Sequence, residues 1–131
     1  MKMKLAIFAA AMGLLIAVAP VMAHHSFAAE YDAKQPVEIK GKVTQVEWTN
    51  PHARFYVDVT DANGKVTSWN FELASPNVLK RNGWTRTSLK IGDEITVQGS
   101  RAKDGANMAN AKTVVLSDGR KVFAGSAEQG Q

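Results

Sequence analysis

The feature that most restricts the fold is a pair of alternating segments on either side of an Asn-Gly turn. Residues 54–60 and 66–73 place an apolar side chain at every second position, and Asn63-Gly64 lies between them. Because Asn-Gly accepts positive φ angles, this pattern predicts a β-hairpin. A loop of five residues, 61–65, puts apolar side chains together on one face and polar ones on the other. The predicted pairs are Phe55 with Phe71, Val57 with Trp69, Arg54 with Glu72, Tyr56 with Asn70, and Asp58 with Ser68.

Alternation continues on both sides of this hairpin. Residues 37–43 alternate in one phase, then Val46 and Trp48 in the other, and a slip of one residue predicts a β-bulge. Ser75-Pro76 predicts a short helix, because Ser caps free N–H groups and Pro fits the first helical position. Further strands are predicted over residues 94–101 and 111–116, with a short extra strand over 120–123.

This order of elements indicates an all-β fold. Three strands, a short helix and then two strands are typical of a five-stranded OB-like Greek-key barrel, with its helix between strands 3 and 4. A bulged first strand agrees, because that strand must bend to join both halves of the sheet. The alternative is a small β-sandwich, which usually needs about seven strands.

Residues 1–23 have the pattern of a cleaved secretory signal peptide. Two lysines precede 15 apolar or small residues, a shorter run than the roughly 20 that a membrane span needs. Val21-Met22-Ala23 fits the cleavage site, so the mature chain is predicted to begin at His24; the alternative is an uncleaved anchor. Cleavage leaves 108 of the 131 residues and lowers the net charge from +4 to +2. We expect a periplasmic protein with no membrane span after cleavage.

The mature chain is predicted to hold one domain. Residues 24–36 are polar and irregular, and Phe27 and Tyr31 can pin this N-terminal segment to the core. The OB-like domain is expected over 37–123, followed by a disordered tail over 124–131. The chain has no cysteine, which excludes a disulfide scaffold, a thiol enzyme and a Cys-ligated metal site.

Several short motifs together point to a known family. They are His24-His25-Ser26-Phe27, Glu47-Trp48-Thr49-Asn50-Pro51-His52, Ser75-Pro76-Asn77, Gly83-Trp84 and Asp118-Gly119-Arg120. In this combination the chain resembles Domain of Unknown Function family 6152, whose members are small exported bacterial proteins. The resemblance spans almost the whole mature chain and implies a small exported β-barrel domain. It implies no activity, so function must be inferred from the residues.

The three histidines of the chain are candidate metal ligands. As the first residue of the mature chain, His24 offers its α-amine and ring Nδ1 as a chelate, and His25 or His52 can add a second imidazole. Three nitrogens in a tetragonal arrangement suit Cu(II), which heads the divalent affinity order. The predicted metal site is therefore His24, His25 and His52, with copper as the candidate cofactor. The alternative is that the two N-terminal histidines form a solvated start to a loose segment.

The exit of the first strand carries a second candidate site. In OB folds the loop between strands 1 and 2 flanks the usual binding face. The ligand-binding candidates are Glu47, Trp48, Asn50, Arg54 and Tyr56. The alternative is packing, with Trp48 in the core, Asn50-Pro51 as a turn and His52 as a hydrogen-bonded loop anchor.

These features favour a binding protein over an enzyme. The sequence contains no G-x-S-x-G, no H-E-x-x-H and no phosphate-binding loop. Basic residues are interspersed with acidic ones, so we expect no nucleic-acid partner. The favoured function is non-catalytic binding of a metal ion, such as Cu(II), or of a small ligand. The alternatives are an interaction module that docks on an envelope protein and a copper-dependent oxidoreductase.

Overall fold

The computed structural model describes residues 27–125. Its elements are α1 (Phe27–Glu30), β1 (Tyr31–Glu47), β2 (Arg54–Thr60), β3 (Val66–Glu72), α2 (Pro76–Arg81), β4 (Glu94–Ala102), β5 (Met108–Val115) and β6 (Lys121–Phe123). The predicted signal peptide, the histidines at 24 and 25, and residues 126–131 of the predicted tail lie outside the described residues. No helix within 27–125 has the length and apolar character needed to cross a membrane.

Five strands close into a ring. The order is β3-β2-β1-β4-β5, and β3 also pairs with β5 in parallel, which joins the two ends. All other pairings are antiparallel, and the helix α2 lies between β3 and β4 in the chain. This is the order of an OB-type Greek-key fold, so the predicted fold class is confirmed. β6 extends the sheet beside the second half of β5.

The β2–β3 hairpin has the register that its sequence predicts. All five predicted pairs are present, including Phe55 with Phe71 and Arg54 with Glu72. The two paired phenylalanine rings stack with their centroids 5.1 Å apart inside the ring of strands. Because successive side chains of a strand point to opposite faces, Arg54 and Glu72 project from the outer face of the hairpin.

β1 is long enough to serve both halves of the sheet. Its first part pairs with β4 and its second part with β2, and the register shifts between Val43 and Gln45. This shift is the predicted bulge, and it lets Val43 and Val46 both pack on the core. A Cβ atom on Gly41 would collide with the carbonyl oxygen of Asp58, so this crossing of β1 over β2 requires glycine.

The apolar core fills the ring and is closed by α2. Ser75 caps α2 by accepting a hydrogen bond from the Val78 N–H, as predicted. Trp84 follows the helix, is almost fully buried, and donates from its indole nitrogen to the Phe123 carbonyl oxygen at 2.8 Å. The members of the core are Val43, Ala53, Phe55, Val57, Trp69, Phe71, Leu73, Ala74, Leu79, Trp84, Leu89, Ile95, Val97, Ala109, Ala111, Val114, Leu116 and Ala124.

The folded domain extends beyond the boundaries that alternation predicts. β1 begins at Tyr31 instead of residue 37, and α1 precedes it directly. At the other end, Ala124 is fully buried and continues the sheet: its N–H donates to the Lys112 carbonyl at 2.8 Å. Its own carbonyl accepts from the Ala74 N–H at 3.0 Å. Both extensions depend on partners distant in the sequence, which a local pattern does not reveal.

Candidate functional site

A buried carboxylate stands at the centre of a polar cluster on the outer face of the hairpin. Glu72 Oε2 accepts hydrogen bonds from the Tyr31 hydroxyl at 2.9 Å and from Arg54 Nη2 at 2.7 Å. Glu72 is 8% exposed and Tyr31 1% exposed. Two donors, one of them charged, therefore compensate for burying this carboxylate.

Arg54 is held by more than its ion pair. Its Nη1 donates to the Asn70 side-chain oxygen at 3.1 Å and lies 4.0 Å from the sulfur of Met108. Arg54 was predicted to bind a ligand, and the structure shows its guanidinium contacting residues of β3 and β5. Its planar group joins these strands on their outer face.

His52 has one engaged and one open ring nitrogen. Its Nδ1 lies 2.9 Å from the Leu73 carbonyl oxygen, and a carbonyl only accepts, so Nδ1 carries the proton. The same nitrogen lies 3.8 Å from Glu72 Oε1. Nε2 has no hydrogen-bond partner among residues 27–125, and the side chain is 33% exposed. His52 is thus anchored as a loop residue through Nδ1.

The other predicted ligand-binding residues fall into two groups. Glu47 and Tyr56 share the outer face with Arg54, since Glu47 pairs with Arg54 across the strands. The Tyr56 hydroxyl donates to Glu47 Oε1 at 3.4 Å. Trp48 is half-buried and packs against the core, whereas Asn50 is exposed in the turn before β2. The outer face therefore gathers Glu47, Arg54 and Tyr56 but leaves the other two apart.

The N-terminal segment is fastened beside this cluster. The rings of Phe27 and Tyr31 stack with their centroids 5.7 Å apart. The Lys103 N–H, at the start of the β4–β5 loop, donates to the Glu30 carbonyl oxygen at 2.9 Å. α1 is therefore attached both to that loop and, through Tyr31, to Glu72 on β3.

The hydroxyl of Tyr31 is held in its protonated form. Burial raises the pKa of Tyr31 well above its usual range, and the charge and hydrogen bond of Glu72 raise it further. A protonated hydroxyl can donate to the carboxylate throughout the physiological range. Sequence alternation alone placed Tyr31 outside the strands and did not pair it with Glu72, which lies 41 residues away.

A second buried polar group lies next to Glu72. Asn110 on β5 is the direct neighbour of Glu72 in the parallel β3–β5 pairing and is 1% exposed. Its side-chain oxygen has no hydrogen-bond partner within the described part of the chain. Buried acceptors are almost always satisfied, so this oxygen is open to a donor such as a water molecule.

The described residues do not form a metal site by themselves. Across 27–125, no group of three or more Cys, His, Asp or Glu side chains is placed to hold a metal ion. Of the three predicted metal ligands, only His52 is among the described residues. A metal site that includes His52 is therefore not assembled from three such side chains within this part of the chain.

Fold and site together define a small OB-type domain with a buried polar cluster on its outer hairpin face. The model of a family of unknown function, DUF6152, matches residues 11–111. The chain belongs to this family, which confirms the resemblance seen in the sequence motifs. A search of curated proteins finds no match to the chain.

Proposed function

We propose that this protein is exported to the periplasm and binds Cu(II) without catalysing a reaction. The observation that carries this proposal is the state of the His52 ring. Its Nδ1–H is committed to the Leu73 carbonyl, and Nε2 is open. Histidines that ligate metals almost always donate their other ring N–H to a carbonyl or carboxylate, which fixes tautomer and orientation. The Nδ1 contact of His52 with the Leu73 carbonyl is of this kind.

The N-terminal segment supplies the remaining ligands in this proposal. Phe27 is linked to Glu72 through Tyr31, and Glu72 lies 3.8 Å from the His52 ring. An extended chain covers at most about 3.5 Å per residue, so three residues can reach at most about 11 Å from Phe27. The α-amine and ring of His24, together with His52 Nε2, would give three nitrogen ligands suited to Cu(II). His25 is the alternative source of the second imidazole.

A competition titration with Cu(II) tests this proposal. The protein that begins at His24 is compared with His24→Ala and with His52→Asn, which retains a donor for the Leu73 carbonyl but removes Nε2. We expect each change to weaken Cu(II) binding at least about tenfold, or 1.4 kcal/mol. A protein whose His24 α-amine is acetylated is the matched control, because it keeps every imidazole but removes the α-amine as a ligand. Its affinity should fall like that of His24→Ala.

The outcomes separate the candidate functions. If Cu(II) binds His24→Ala as tightly as the unaltered protein, the proposed site is refuted. If His25→Ala loses affinity while His52→Asn does not, the site lies in the N-terminal segment alone. A stable partner recovered in pull-down, insensitive to chelators and to loss of His24 and His25, would instead support an envelope interaction module. Redox turnover by the bound copper would support the oxidoreductase alternative.

A further inference from the structure

We propose that a polar cavity next to α2 binds the phosphate group of a ligand, with Lys90 and Arg120 as its cationic contacts. The cavity lies between the segment that follows α2, residues 83–93, and the turn before β6, residues 116–120. Its volume is about 370 Å³, a size typical of small-molecule sites. None of its lining residues belongs to the polar cluster around Glu72, so this proposal goes beyond copper binding and does not depend on it.

The two walls of the cavity are joined through the core. Trp84 and Leu89 are both buried, and they fix the segment after α2 to the core from either side of its hydroxyl residues. The Trp84 indole nitrogen also donates to the carbonyl oxygen of Phe123 in β6 at 2.8 Å. Because this bond connects the segment after α2 to β6, the cavity belongs to the folded domain and is not a gap between two independent loops.

Two short turns form the wall that follows α2. In the first, the Thr85 N–H donates to Ser88 Oγ at 2.8 Å, and the Ser88 N–H donates to the Thr85 carbonyl oxygen at 3.1 Å. In the second, the Lys90 N–H donates to Asp93 Oδ2 and the Asp93 N–H to the Lys90 carbonyl oxygen, both at 3.0 Å. Each turn is closed by its own hydrogen bonds, so the side chains that line the cavity project from a defined backbone.

The two carboxylates of the cavity already accept hydrogen bonds from the chain itself. Asp118 Oδ1 accepts from the Arg120 backbone N–H at 2.9 Å, and its Oδ2 accepts from Arg120 Nε at 2.7 Å. Asp93 Oδ2 accepts from the Lys90 backbone N–H. These local donors compensate part of the negative charge, which lowers the repulsion that an anion in the cavity meets.

The cationic side chains, in contrast, have donors to spare. Within residues 27–125 the Lys90 ammonium has no hydrogen bond or ion pair, and the two terminal nitrogens of Arg120 have no hydrogen bond. Ammonium and guanidinium groups make the charge-assisted hydrogen bonds by which proteins bind phosphate. The hydroxyls of Thr87 and Ser117 line the same cavity and add neutral donors. The unused hydrogen-bonding capacity therefore fits an oxyanion.

The sequence around the cavity adds positive charge. No acidic residue occurs between Glu72 and Asp93, whereas this stretch contains the basic residues Lys80, Arg81, Arg86 and Lys90. A local excess of one sign raises the concentration of ions of the opposite sign near the surface. The surroundings therefore favour an anion over a cation as the occupant.

A titration of the exported protein with inorganic phosphate tests this site. Binding is followed by NMR at the backbone amides of Ser88 and Ser117, with EDTA present to remove metal and with ionic strength held constant by chloride. We expect saturable binding that Arg120→Ala and Lys90→Ala each weaken about fivefold, as for the loss of one exposed charge pair. Lys121→Ala is the matched control, because it removes the same charge next to Arg120 but does not line the cavity. Its affinity should equal that of the unaltered protein.

Asp118→Asn should change the affinity in the opposite direction. The asparagine keeps an acceptor for the Arg120 backbone N–H and removes the charge that competes with phosphate for the guanidinium. We expect phosphate to bind about threefold more tightly to this variant, since a like charge next to the site is lost. Weaker binding would overturn the assignment of an anion, because it would mean that the ligand needs the carboxylate.

The remaining outcomes decide between a site and a general charge effect. Phosphate binding that does not saturate, or an equal loss in Lys121→Ala and Arg120→Ala, would overturn the proposal. Vesicles of phosphatidic acid, compared with phosphatidylcholine, identify the source of the phosphate. Cosedimentation with phosphatidic acid that Arg120→Ala abolishes and Lys121→Ala retains would assign the site to a lipid headgroup. Phosphate binding without cosedimentation would assign it to a soluble phosphate compound.

Discussion

Two arginine–carboxylate pairs in this protein have the same length and different surroundings. Both Arg54–Glu72 and Arg120–Asp118 have a nitrogen–oxygen distance of 2.7 Å. The side chains of the first pair are 29% and 11% exposed, and those of the second are 63% and 52% exposed. Distance alone therefore does not distinguish a pair within the folded domain from one surrounded by solvent.

The difference lies in what each pair connects. Arg54 and Glu72 join β2 to β3, and Glu72 adds the hydroxyl of Tyr31 from β1. Arg120 and Asp118 lie two residues apart in the turn before β6, where the carboxylate also accepts from the Arg120 backbone N–H. Exposed pairs contribute little because water and salt screen them, whereas breaking a buried pair leaves a charge without a partner.

The largest effect is expected from removal of the Glu72 carboxylate. Glu72→Leu leaves the guanidinium of Arg54 without its acceptor and the buried hydroxyl of Tyr31 without its partner. We expect the free energy of unfolding to fall by about 3 kcal/mol, measured by urea denaturation. A loss below about 1 kcal/mol would show that the buried pair is no more important than a surface pair.

A smaller effect is expected from Tyr31→Phe, which removes the hydroxyl and keeps the ring stacked on Phe27. The carboxylate then loses one donor but keeps Arg54. The free energy of unfolding should fall by about 1.5 kcal/mol, in line with a hydrogen bond to a charged group. The double variant Tyr31→Phe with Glu72→Leu serves as the control, because Tyr31→Phe should cost almost nothing once Glu72 is absent. Additive losses would contradict a direct interaction between the two residues.

The raised pKa of Tyr31 predicts that the stability difference between the unaltered protein and Tyr31→Phe depends on pH. In the unfolded chain the hydroxyl ionises near pH 10, whereas burial and Glu72 keep it protonated in the folded protein to higher pH. The folded state then binds one proton more than the unfolded state, so stability falls as pH rises above about 10. From pH 9 to pH 11, the difference in free energy of unfolding between the unaltered protein and Tyr31→Phe should become smaller. A constant difference across that range would contradict the raised pKa.

The smallest effect is expected at the exposed pair. Arg120→Ala removes the guanidinium but keeps the backbone N–H that Asp118 accepts from. The urea midpoint of this variant should match that of the unaltered protein. The two midpoints should also agree when salt is added. A midpoint shift as large as that of Tyr31→Phe would remove the distinction between the two pairs.

The pKa of Asp118 is lowered mainly by the hydrogen bond from the Arg120 backbone N–H. The small contribution of Asp118 to folding stability is therefore present above the ordinary aspartate pKa and is lost as pH falls below it.

The hairpin shows how much of this structure follows from local sequence. Its register depends on alternation and on one turn, both contained in 20 consecutive positions, and every predicted pair is present. The bulge of β1 and the cap of α2 are local in the same sense. Alternation also placed Arg54 opposite Glu72 on the polar face of the hairpin.

The burial of that pair was not predictable in the same way. It depends on Tyr31, which lies 41 residues from Glu72, and on the parallel pairing of β5 with β3. The predicted strand begins at residue 111, whereas β5 begins at Met108, because residues 108–110 do not alternate and a parallel closure leaves no local signal. Polar residues such as Asn110 become buried only through this closure, so the candidate site emerges from the tertiary structure.

Mass spectrometry of the exported protein under native conditions tests the central claim most directly. The protein is collected from the periplasm, incubated with one equivalent of Cu(II), freed of unbound metal by gel filtration and weighed intact. We predict a chain that begins at His24 and carries one copper ion, and a copper-free chain for the double variant His24→Ala with His52→Asn. A chain that begins elsewhere, or one that begins at His24 and retains no copper, would contradict the proposed site.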